Sequence, residues 1–386
     1  MNYPDIFTFA DGRRMTGPAE WDERAAELRG QYEDCMYGNW RSGETVSYAI
    51  SDEGAQMISF FGIIPAEGAK NLTVTVSVNG RRGSWSMPVF LPDASVEKPD
   101  GGYPVIISMH GLPSMEAALK RGYAVIPNNS TLVASDDIKH NGAFYDCYPY
   151  HEEAPETQTG VLMAWAWGAS KILDALLAGA GEALGINPEF SIVTGVSRWG
   201  KATAVCGAFD PRFRLVAPAC SGAGGLALYR YTSEGRTYDL SGVGASDAYT
   251  YGTNEPLSCL QSDSERGWFN EAFRAYASPE DIPVEQYELA ALAAGADRCY
   301  FLIAACTGED WVNAPSMWEC YREADRLYSF LGLGDRFVCH FHKEGHAVLE
   351  EDFELMLPYF DLVIRGLPVS VDLAALKTSV YKGQEQ

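Results

Sequence analysis

From residue 103 onward, short apolar runs alternate with longer amphipathic ones. YPVIISMHG (103–111) and YAVIPN (123–128) are nearly unbroken apolar runs, and MEAALKRG (115–122) between them has helical character. A short apolar run without polar alternation predicts a strand covered on both faces, as in parallel sheets. The alternation continues with a helix over 159–179, a strand over 190–197, a helix over 198–209 and a strand over 213–220. A strand within 291–306, a helix over 318–332, a strand over 336–345 and a helix over 349–366 complete it. Upstream, a helix is predicted over 19–34, then strand-like runs at 45–50, 57–65, 71–80 and 83–92, separated by Gly, Asn and Asp turn signals. The predicted class is α/β: a mostly parallel sheet with antiparallel N-terminal strands and helices on both faces. No repeat, low-complexity tract or linker divides residues 1–386, so one domain is expected, carrying an irregular insertion at 230–288 that forms part of a substrate pocket.

Composition supports a large core, with 47% of the 386 residues apolar. The formal net charge of -23 repels nucleic acid and anionic lipid, so neither is expected as a partner. The most apolar segment, VLMAWAWGASKILDALLAGAG, is interrupted by Lys171 and Asp174 and reads as a buried helix rather than a membrane span. The N-terminal residues lack a cationic start followed by an apolar run. Nine cysteines without a CxxC spacing predict reduced thiols. Together these predict a cytoplasmic protein for the sequence as written, or a secreted one if a leader was removed. The sequons at Asn71 and Asn128 carry little weight in that setting.

In sheets of this kind, ligands bind beyond the carboxyl ends of the strands. One such end reads Gly195-Val196-Ser197-Arg198-Trp199-Gly200. A nucleophile elbow needs a tight strand-to-helix turn with small neighbours, usually G-x-S-x-G. Here the first glycine is in place and the second comes one residue late. Ser197 would also serve as a plain helix N-cap. Arg198 and Lys201 argue against that simpler role, because cations in a first helical turn cost about 0.3–1 kcal/mol against the helix dipole. A site that stabilises an oxyanion, or binds a carboxylate or sugar hydroxyls, accounts for them.

Six histidines offer a base. His110 ends a strand where an oxyanion loop would lie; His140 and His151 flank GAFYDCYPY without a motif; His340 and His342 share one face of a strand but lack a third metal ligand at a suitable spacing. His346 follows the last strand in Lys343-Glu344-Gly345-His346, and the chain order of an α/β-hydrolase is nucleophile, acid, base. The acid is expected after the preceding strand, where Glu309 and Asp310 are adjacent and spacing does not choose between them.

With these residues in hand, the chain resembles the glucuronoyl esterase family over nearly its whole length. The resemblance rests on the opening segment PDIFTFADGRRMTGPAEWDERAAELRGQYEDCMYG, then GAFYDCYPY, TGVLMAWAWGASKILDAL, GVSRWGK, FDPRFRLVAPACSGAGG, the pair Trp268-Phe269 and EGHAV, in that order. It implies an α/β-hydrolase fold and a serine esterase, without metal or other cofactor, that cleaves 4-O-methylglucuronate esters linking xylan to lignin alcohols. It further implies Ser197 as nucleophile, His346 as base and Arg198 as oxyanion donor. Lys201 and Glu265 would bind sugar hydroxyls, and Trp311 and Trp268 would line the uronate site. Two features depart from the family. Cys220 stands immediately before SGAGG, where many members carry the triad glutamate, which points back to Glu309 or Asp310. No export signal is visible. Two alternatives stay open: an esterase of the same fold acting on other acyl groups such as acetylated sugars, and a non-catalytic uronate-binding protein on a hydrolase scaffold.

Overall fold

Six of the apolar runs pair into one all-parallel sheet. The computed structural model describes residues 3–59, 62–112, 114–245 and 248–382. Three N-terminal strands, β1 (Thr45–Ser51), β2 (Lys70–Val78) and β3 (Arg81–Val89), form an antiparallel sheet. The parallel strands are β4 (Tyr103–Ser108), β5 (Ala124–Pro127), β6 (Ile186–Val196), β7 (Leu215–Ala219), β8 (Cys299–Thr307) and β9 (Phe337–Glu344), in spatial order β9-β8-β7-β6-β4-β5. An antiparallel bridge, Phe90 to Val125, joins the two sheets at β5. The main helices are α1 (Trp21–Tyr32), α2 (Val161–Ala175), α3 (Arg198–Phe209), α4 (Ala314–Phe330) and α5 (Glu350–Val363).

The unbroken apolar strands follow from burial on both faces. Along β8, Tyr300, Leu302 and Ala304 join the core under α2, α3 and α4, while Phe301 and Ile303 join the core under α5. By length and composition the stretch Pro155–Leu184 could cross a membrane, but 83% of its most apolar window is buried inside this fold. Lys171 does not face water: it sits between Glu44 and Asp174, at 3.0 and 2.7 Å. Such a pair is tolerated in a core because each charge is matched.

Several boundaries differ from the pattern-based ones. The run at 57–65 is a hairpin of Gln56–Ser59 and Gly62–Pro65 rather than one strand, and its middle, 60–61, lies outside the described residues. The helix expected to reach 179 ends at Ala175. A wider turn, Leu176–Ala180, follows, with Gly179 at φ 121°, a conformation that glycine adopts without penalty. Helix α4 begins earlier than its apolar period suggests, at Ala314. Asn313 precedes it in the left-handed region and Pro315 occupies its first turn. All nine cysteines are unpaired. Asn128 is buried and bonded to Trp85 and Ser130, so its sequon is structural.

The insertion at 230–288 is tied down in part by its own aromatic residues. Phe269 stacks on Phe273 at 4.4 Å, and the Tyr251 hydroxyl donates to the Cys306 carbonyl. Tyr231 and Tyr251 are buried, and Tyr229 is half-buried against Phe273. Several of the aromatic residues of this insertion are therefore core. Large rings are worth most when fully covered, and here they anchor a segment that has little regular structure.

Candidate active site

Ser197 sits between the end of β6 and the start of α3, with φ 62° and ψ −128°. For a residue with a β-carbon this conformation costs about 1–3 kcal/mol. Its side chain caps no helix N–H, which removes the N-cap reading. The corner closes on small neighbours. A β-carbon on Gly195 would lie 2.6 Å from the Trp199 carbonyl, and one on Gly200 would lie 2.6 Å from the Ala219 carbonyl. The late second glycine is thus required by the approach of α3 to β7. Trp199, at the position where the usual motif has glycine, turns its ring onto His110, with centroids 3.9 Å apart. Burial and the charge of Arg198 push His110 down to about 4, so it is a neutral structural ring near neutral pH.

Both first-turn cations have carboxylate partners from distant loops. Arg198 Nε donates to Asp136 Oδ2 at 2.7 Å, and Trp268 Nε1 donates to the other oxygen of Asp136 at 2.8 Å. Lys201 is buried and donates to Glu255 Oε2 at 3.0 Å and to the Ala223 carbonyl. Its Nζ also lies 5.6 Å from the Trp268 ring centre. Asp136 and Glu255 carry no motif in the sequence; the only signal was that two unmatched cations need counter-charges. Glu265 is half-buried nearby, with Oε2 buried and without a hydrogen-bond partner. Burial first, and then the charge of Glu255, raise its pKa above the usual carboxylate range, against the pull of Lys201 and Arg198.

On the other side, His346 follows β9, and its Nδ1 contacts Glu309 Oε1 from the end of β8. Asp310 faces elsewhere. It accepts from the Tyr249 hydroxyl at 2.7 Å and the Gly252 N–H at 2.8 Å, and so holds the insertion. Of the two adjacent carboxylates, only Glu309 meets the imidazole. Cys220 lies beneath this pair, its Sγ within 4.8 Å of donor atoms on both Glu309 and His346. Burial and the Glu309 charge push its thiol well above the ordinary value, so it stays protonated. Trp311 is 51% exposed, its ring 5.7 Å from that of His346. His140 stacks on Tyr150, and His151 lies on the surface beside Glu153.

A strained serine between a parallel strand and a helix, with a histidine–carboxylate pair after the last two strands, is the arrangement of an α/β-hydrolase. The family model described as "Glucuronyl esterase, fungi" matches residues 74–332. A carbohydrate esterase family 15 glucuronoyl esterase from Caldicellulosiruptor kristjansonii has a similar solved structure, with TM-score 0.85 and 37% identity, covering 100% of this chain and 95% of that one. A multidomain esterase from Ruminococcus flavefaciens is 44% identical over 384 residues, 98% of this chain but 48% of its own length. A 4-O-methyl-glucuronoyl methylesterase from Wolfiporia cocos is 28% identical over 86% of this chain and 72% of its own. The chain belongs to the glucuronoyl esterase family, whose members are carboxylic ester hydrolases, and it spans about half the length of the multidomain relative (48%).

Proposed function

We propose that this protein hydrolyses esters of glucuronic acid by two-step acyl transfer, with Ser197 as nucleophile, His346 as base and Glu309 as triad acid. The contact of Glu309 with His346 Nδ1 carries the reading, because it leaves Nε2 to take a proton. Ser197 Oγ attacks the C6 carbonyl and passes its proton to His346. The tetrahedral oxyanion collapses, and the alcohol leaves with that proton. Water, deprotonated by His346, then attacks the acyl-enzyme; the uronate departs and Ser197 regains its proton. Backbone N–H groups at the start of α3, which a helix leaves without partners of its own, and the Arg198 guanidinium stabilise the oxyanion. Lys201 and Glu265 bind sugar hydroxyls, and the exposed face of Trp311 supports the ring with Trp268 behind it. The substrate we favour is a 4-O-methylglucuronate ester, in keeping with the names of the curated relatives; xylan as its carrier and a lignin alcohol as leaving group are what the family resemblance adds. Cys220 in the usual acid position does not disable the site on this reading, since Glu309 supplies the carboxylate.

The test compares a methyl or benzyl glucuronate ester with 4-nitrophenyl acetate, using wild type and Ser197→Ala. A strong preference for the uronate ester, lost in the variant, is expected. Preference for the acetate would reassign the acyl group. Uronate binding without turnover, and without fluorophosphonate labelling of Ser197, would make the protein a binder.

A further inference from the structure

His342 sits two residues before the end of β9, with its side chain 0% exposed. Its Nδ1 lies 3.1 Å from Asp352 Oδ1, and its Nε2 lies 3.0 Å from the Gly345 carbonyl. Both partners accept hydrogen bonds only, Asp352 as the carboxylate. A neutral imidazole has one N–H and one lone pair, so it would turn that lone pair on one of these oxygens; only the doubly protonated ring satisfies both. The other oxygen of Asp352 accepts the Leu349 N–H at 2.6 Å, at the start of α5. The ring therefore ties the peptide that leads into His346 to the first turn of the terminal helix. Gly345 itself stands at φ 119°, so the bend has little stiffness of its own.

We propose that His342 is a positioning residue for the reaction: as an imidazolium it clamps the Gly345 carbonyl to Asp352, and so fixes the loop that presents His346 to Ser197 and Glu309. The inference rests on the catalytic reading of His346. The groups facing the ring agree with it. Glu351 and Asp352 on α5 are acidic. His340 on the same strand, with ring centres 6.2 Å apart, is held below its ordinary value by burial and by the His342 charge, against the pull of Asp352. Cys220, from beyond β7, lies with Sγ 4.0 Å from the same Gly345 carbonyl and is a protonated thiol. Burial alone would lower the His342 pKa, but the hydrogen bond and charge of Asp352 and the Gly345 carbonyl outweigh it and raise the value above 6.5. His340, His342 and Glu351 present donor atoms within 4.8 Å of one another, yet His342 has both nitrogens committed, so the set is a clamp rather than a metal site.

The experiment has two independent readouts. In 15N-histidine-labelled wild type, both His342 ring nitrogens should carry protons at pH 6; a neutral tautomer there would overturn the clamp. In kinetics on a glucuronate ester, wild type should lose kcat on an alkaline limb as His342 deprotonates. His342→Gln should lower kcat about 10-fold, leave KM within about twofold and flatten that limb. Asp352→Asn should shift the limb to lower pH, and serves if the first variant folds poorly. A His342→Gln enzyme with the wild-type pH profile would overturn the proposal. Absence of wild-type turnover would instead defeat the functional reading and leave the ring titration to decide the clamp.

Discussion

The Ser197 corner and the His346 corner are both strand-to-helix turns at the same edge of one sheet, but they are held by different means. At Ser197 the strained residue, the two close-approach glycines and the first turn of the helix lie within Gly195–Gly200, and they close against Ala219 of β7. At His346 the turn's shape depends on hydrogen bonds, between His342, Gly345 and Asp352 on either side of it and with Glu309 from beyond β8. The histidine under each corner differs accordingly. His110, stacked on Trp199, is neutral; His342, between a carboxylate and a carbonyl, is charged. A corner fixed by backbone conformation and steric fit does not depend on the charge of the ring packed on it, whereas one fixed by hydrogen bonds depends on the protonation state of its donors.

The largest expected effect tests the nucleophile. Ser197→Ala should lower kcat about 10⁴-fold or more with the fold intact. Ser197→Gly should be equally inactive but more stable by about 1 kcal/mol in urea denaturation, since glycine relieves the positive φ. A less stable glycine variant would mean that the corner is not strained.

The base side is sharpened by its two neighbouring carboxylates. Glu309→Gln should cost about 10⁴-fold in kcat. Asp310→Asn should cost less than about 10-fold and instead loosen the insertion by about 1–2 kcal/mol, because it weakens the bonds to Tyr249 and Gly252. Equal losses of rate would erase the distinction between them.

Next comes the counter-charge. Glu255→Gln leaves the buried Lys201 without its carboxylate, and should lower stability by about 3 kcal/mol. A measured loss under about 0.5 kcal/mol would place this pair among ordinary surface ion pairs.

The smallest effects separate the two corners by pH. His110 has a native pKa of about 4 against 6.5 when unfolded. Between those values the unfolded chain holds the extra proton, so stability rises with pH across the window. His140 adds to the same slope, its value also about 4 because of burial. His342 is raised in the native state, so its contribution is complete below 6.5 and is lost as pH climbs through the native value. Urea midpoints against pH should lose part of the acid slope in His110→Gln and the alkaline slope in His342→Gln. Parallel changes in both variants would contradict the comparison.

The alternation of strands and helices was legible because strands buried on both faces are written as apolar runs. The serine corner and the histidine after β9 were legible for a related reason: each lies in a contiguous segment whose place in the chain order carries meaning. The acid was not. Glu309 and Asp310 follow Gly308, at φ 81°, and the turn sends one carboxylate to His346 and the other to the insertion. Asp136 and Glu255 were missed for the same cause, as they come from loops 62 and 54 residues from the cations that they meet. Which aromatics of 230–288 are core was not legible either, because composition does not record which way a ring faces; Tyr231, Tyr251 and Phe269 turn inward.

By itself, then, the chain determined the layered α/β architecture, the bend at Ser197 and the family to which it belongs, all of which depend on near neighbours and periodicity. Which carboxylate meets His346 and which counter-charges neutralise Arg198 and Lys201 were decided only when distant segments met. Burial converts such meetings into energy: a charge or lone pair removed from water must find its partner across the fold, and nothing local in the sequence names that partner.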